Sequence, residues 1–175
     1  MAKTGKNMEL PNETAPPKKC LFDRVAEYLD ANDWRYTAHQ ESGYISMECR
    51  IAMASVRVVL TVTEGDRLNR ILAFSVYPVF VPENRRAAVL AAMNEINFRL
   101  VSGCFEMDPA DGQIRFRTLM ESDADFTDPL LERVLNGNLA TADRHFAALM
   151  AVMFAVAGQE GANELVTRPE GTTLQ

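Results

Sequence analysis

Beyond Lys19 the chain contains no lysine. Chemistry that needs an amine from the folded part is thereby excluded: a P-loop phosphate clamp, a Schiff base or a Ser-Lys dyad. Histidine is nearly as scarce, with only His39 and His145. Neither has a second ligand at metal spacing, since Asp143 lies two residues from His145 and would point elsewhere on a helix. No metal site and no cofactor are therefore expected. The three cysteines, Cys20, Cys49 and Cys104, are odd in number and far apart, with no C-x-x-C pair. They read as small buried hydrophobes of a reducing cytoplasm rather than as a disulfide framework. No serine stands in a G-x-S-x-G elbow, and no glycine-rich loop precedes a helix in nucleotide-binding form. The apolar run Phe146 to Ala157 falls well short of the roughly 20 residues that span a bilayer. Met1 to Glu9 offers no apolar core for an export signal, so a cytoplasmic protein with no membrane span is expected.

What is present is an acidic body behind a basic leader. The net charge is -6, and all four lysines (Lys3, Lys6, Lys18, Lys19) precede residue 20. Against Glu9 and Glu13 they leave the first nineteen residues at about +2 and the rest at about -8. An acidic body repels a nucleic-acid backbone, so no nucleic acid is expected as partner. At 175 residues the chain suits one domain with tails. Residues 1–19, with Pro11, Pro16 and Pro17 among polar residues, read as a disordered leader, residues 20–157 as a single domain and residues 158–175 as a loose tail.

Within that domain the hydrophobic period alternates between helical and strand spacing. Leu21, Phe22, Val25, Tyr28 and Leu29 recur at helical spacing, with Asn32 suited to a left-handed stop. Period-2 segments follow at Trp34–Thr37, Tyr44–Arg50, Val56–Thr63 and Ile71–Val79. Their connectors are too short for crossover helices, which predicts an antiparallel meander. Pro82 and Glu83 open a second helix with Val89, Met93, Ile96 and Leu100 as its buried stripe and Gly103 as its stop. Two more strands, Cys104–Asp108 and Gln113–Met120, flank the turn Asp108–Gly112. Asp128 then caps a helix that starts at Pro129, contains Gly137 as a place to bend and runs to about Ala157. The fold class is α+β: an antiparallel sheet of five to six strands with three helices, in the order α-β-β-β-β-α-β-β-α.

Phe146 to Ala157 is apolar on every face, and a helix of that kind must be buried all round. One sheet covers only one side, so the rest must meet other helices or a second chain. Phe146, Leu149, Met150, Met153 and Phe154 are the candidate protein interface, and the alternative is the central core helix of a monomer. Asn84, Arg85 and Arg86 occupy a first helical turn, where free N–H groups and the dipole favour an anion. They are the candidate anion site of a small-ligand sensor, unless the arginines simply pair with acids on a solvated face. Asn94 and Asn97 lie close to the buried stripe and are expected to tie the helix to a neighbouring strand or loop. The carboxylates Glu106, Asp108 and Asp111 surround a turn, where they are expected to sit in water or bond the turn backbone.

The stretches Val81-Pro82-Glu83-Asn84-Arg85-Arg86, Met93-Asn94-Glu95-Ile96-Asn97, Gly103 to Asp108, Asp111 to Phe116 and Ala140 to Arg144 resemble, in order and spacing, the bacterial YbjN family of sensory transduction regulators. The resemblance covers about Leu21 to Ala157. It implies a fold similar to that of type III secretion chaperones, commonly dimeric, with six strands read here where those chaperones typically have five. No catalytic residues come with it. The resulting expectation is a non-enzymatic, self-associating homodimer that holds a protein client in a regulatory or chaperone-like role, through apolar helix and sheet-edge surfaces. A small-anion sensor and an enzyme are the rival classes.

Overall fold

The computed structural model describes residues 20–155; the leader at 1–19 and the tail at 158–175 lie outside the described residues. Helix α1 (Leu21–Ala31) leads into a six-stranded antiparallel sheet, β1 (Thr37–His39), β2 (Tyr44–Arg50), β3 (Ser55–Thr63), β4 (Asn69–Phe80), β5 (Cys104–Met107) and β6 (Gln113–Ser122). Helix α2 (Glu83–Arg99) is inserted between β4 and β5, and α3 (Asp128–Phe154) follows β6. The strand order is β1-β2-β3-β4-β6-β5. Thus the α+β class and the element order agree with the sequence reading.

Period-2 patterning sends one row of side chains per strand into the core. Met47, Val58, Ser75, Phe116 and Phe105 lie opposite one another across five strands on the buried face. Helix α1 packs on β3, α3 on β4 and β6, and α2 on β5 and α3. Tyr77 stands at the junction, with its ring edge-on to Phe146 at 4.9 Å and its hydroxyl donating to the Ala142 carbonyl at 2.5 Å. Burial pushes that hydroxyl far above its ordinary ionisation range, so it stays a donor.

The opposite sheet face is mixed, with ion pairs beside apolar rows such as Leu72 opposite Leu119. Glu106 accepts from Arg115 at 2.8 Å and from Arg117 at 2.6 Å, and Arg70 pairs with Glu121 at 2.6 Å. Burial acts to raise the Glu106 carboxyl, but the two guanidiniums outweigh it and hold it below its usual range. A depressed carboxylate contributes stability above its unfolded pKa and loses it as pH falls through the folded value. Glu106→Gln is therefore expected to cost up to about 1 kcal/mol near neutrality. The difference should shrink to nothing well below the ordinary carboxylate pKa of about 4.3. Urea midpoints of both proteins across that range measure it; a gap that persists in acid would refute the linkage.

Several boundaries differ from expectation. The first strand is Thr37–His39, because Trp34 and Tyr36 serve α1 instead: Trp34 N–H returns to the Leu29 carbonyl at 3.0 Å and Tyr36 bonds Asp30 at 2.9 Å. Asn32 keeps a negative φ and donates its side-chain amide to Tyr28, while Asp33 takes the left-handed turn at φ 56°. Helix α2 stops at Arg99, so Leu100 is only its half-buried C-cap, and Gly103, at φ 80°, launches β5 instead of ending the helix. Thr127 rather than Asp128 is the N-cap of α3; Asp128 lies in its first turn and pairs with Arg24 of α1. Helix α3 ends at Phe154, short of Ala157. In the β5–β6 turn Gly112 has φ 82°, Asp108 accepts from Ala110 N–H at 2.8 Å and Asp111 from Gln113 N–H at 2.9 Å, whereas Glu106 pairs with Arg115 and Arg117 instead of the turn backbone.

Candidate functional site

Helix α3 spends most of its apolar surface inside its own chain. Phe146, Leu149 and Met153 are buried in the core, on a stripe that continues through Leu131, Val134, Leu135, Asn138 and Ala142. The sheet takes one side of the helix and α2 another, which accounts for apolar residues on more than one face. Of the five residues singled out there, Met150 is half-buried and Phe154 is 69% exposed.

Arg85 and Arg86 of α2 likewise bond carbonyls of their own chain. No basic residue lies in the last turn of α3, where the helix dipole is negative. Arg85 supplies one from outside, donating through Nη2 to the Val152 carbonyl. Arg86 donates to the Val81 carbonyl at 3.3 Å and the Pro109 carbonyl at 2.9 Å, joining the start of α2 to the β5–β6 turn. Asn84 is exposed beside them. The three residues thus share one turn, but the guanidiniums are spread over three different carbonyls rather than converging as a fork.

The two asparagines divide. Asn97 receives the Phe105 N–H at 2.7 Å and donates to the Phe105 carbonyl at 3.0 Å, tying α2 to β5. Asn94 instead faces outward. Around it α2 carries a second apolar face that the sequence reading missed, with Leu90 47% and Phe98 89% exposed and Ala87 and Ala91 alongside. The core face holds Val89, Ala92, Met93 and Ile96. Apolar residues on both sides of one helix are its signal in the sequence.

Reactive groups do not converge on this region. Among the described residues no three His, Cys, Asp or Glu side chains cluster as metal ligands. Burial pushes the Cys49 thiol up to about 11, away from a nucleophile's range. Among the described residues no helix is long and apolar enough to cross a membrane.

Fold and surface together define a class: a small α+β protein whose most distinctive exposed feature is an apolar helix face. The chain belongs to the YbjN family, whose model, described as "Putative bacterial sensory transduction regulator", matches residues 21–151. Among solved structures it is similar to one described as "Crystal structure of YbjN, a putative transcription regulator from E. coli", at 12% identity. That match covers 74% of this chain and 89% of the other, with a TM-score of 0.42. No curated protein gives a significant match.

Proposed function

We propose that this chain is a non-enzymatic regulator that works by protein contact, pairing with a second copy of itself through the outer face of α2 and holding a protein client as that pair. One observation carries the reading. Leu90 and Phe98 lie four residues either side of Asn94, all three exposed on the same face. An antiparallel pairing of two α2 helices about a two-fold axis at Asn94 sets each Leu90 against the partner's Phe98. The two Asn94 amides then meet on the axis, and a polar residue at such a position fixes register. Met150 and Phe154, the α3 residues outside the core, are the further apolar surface available to such a pair. The regulatory part of the reading follows the family description.

Light scattering on the purified protein tests it. The parent should have twice the chain mass at micromolar concentration. Leu90→Glu with Phe98→Glu should give a monomer that still unfolds cooperatively, because neither side chain belongs to the core. A parent that is monomeric throughout sinks the reading. Dissociation by Phe154→Glu alone would move the interface to the end of α3.

A further inference from the structure

We propose that the cleft between the end of α2, the second half of β6 and the middle of α3 binds a small organic anion, a carboxylate or phosphate carried on an apolar body. The cleft has a volume of about 410 Å³. That is the size of a small-molecule site. It exists because β5 is short: β5 pairs with β6 only as far as Arg117, so Thr118, Leu119 and Met120 have β4 on one side and the cleft on the other.

The far wall is a single stripe of α3. Arg133, Gly137, Thr141 and Arg144 all line the cleft and recur at helical spacing. Arg133 and Arg144 make no ion pair among the described residues, and no carboxylate lines the cleft. Two arginines without acids, around one cavity of an acidic protein, create a local field that favours an anion. Arg99, a third lining residue, sits in the last turn of α2, where it offsets the negative end of that helix.

Gly137 is the second, independent observation. A glycine inside a helix is destabilising relative to alanine. Nothing in the packing demands it, because a Cβ built there meets no atom within 4 Å and its φ is not positive. What glycine preserves is the open space between the two arginines. Beside it, Leu100, Val101 and Met120 give the cleft its apolar walls. The polar group at its floor, Asn138, is already bonded to Ser75 and Thr118, so the arginines are left as the recognising groups.

The test uses the full chain, isotope-labelled, titrated with hexanoate while backbone amides are followed by heteronuclear NMR. Hexanoate should shift residues 118–120, 137 and 141 saturably. Arg133→Gln with Arg144→Gln should weaken binding about tenfold or more, as expected for losing charge-assisted hydrogen bonds. Gly137→Leu should abolish it by filling the space, and Gly137→Ala should retain it. Protonated hexylamine should leave the same amides unmoved. Absence of a saturable shift, equal affinity in the double arginine variant, or inorganic phosphate binding as tightly as hexanoate would each overturn the proposal. The readout is independent of whether α2 pairs with a second copy.

Discussion

Asn138→Ala is expected to destabilise the fold by about 1–3 kcal/mol, the range for leaving a buried polar group without its partner. Asn138 is 1% exposed and Ser75 fully buried. The Ser75 hydroxyl donates to Asn138 Oδ1 at 2.6 Å, and Asn138 Nδ2 donates to the Ala73 carbonyl at 3.2 Å and to Thr118 Oγ1 at 3.0 Å. One side chain of α3 therefore bonds both β4 and β6, across the layer where the helix crosses the sheet. Alanine removes the partner of a buried hydroxyl and opens a void in the same step. Urea unfolding should show the loss directly. Adding Ser75→Ala should recover part of it, because the orphaned hydroxyl disappears, and the two effects should fall short of additivity by about 1 kcal/mol. Additive losses would mean that the pair does not act as a unit.

Gly103→Ala is expected to cost about 3 kcal/mol or more, since strain in the left-handed region adds to overpacking. At φ 80° the residue already lies where side chains are rare. A Cβ there would stand 2.6 Å from the Arg117 carbonyl oxygen, a backbone atom held in the sheet, and 2.6 Å from the Phe116 ring. Neither can withdraw without moving β6. Gly137→Ala is the internal control, with the opposite sign expected: about 1 kcal/mol of added stability from helix propensity alone. Thermal melts of the two variants should move in opposite directions. A neutral Gly103→Ala would show that the α2–β5 connection can re-route at little cost.

Local pattern carried much of this fold. Alternation in Tyr44–Arg50 and Val56–Thr63 sets those strands to within a residue, because one buried face imposes the period. The spacing of Leu21, Val25, Tyr28 and Leu29 likewise marks the buried side of α1. Where expectation and structure part, a distant group is responsible. Trp34 and Tyr36 look like strand residues, yet they close the end of α1. Arg85 and Arg86 look like an anion fork, yet each finds a carbonyl far along the chain, at Val152 and Pro109. Asn138 leaves no local signal because its partners, Ala73, Ser75 and Thr118, are at least 20 residues away. The apolarity of α3 was legible, but its partner was not, since α2 shares the task of covering it.

Asn97 has a consequence for how this protein can associate. By taking both the N–H and the carbonyl of Phe105, its amide stands in for a neighbouring strand on β5, the last strand of the sheet. A four-residue border strand with its middle already occupied is a poor template for another chain. The opposite border, β1, is three residues long. At these two border strands the sheet thus resists the open-ended stacking that turns exposed sheets into fibrils, and helix faces, with their closed and self-limiting geometry, offer a different route to assembly.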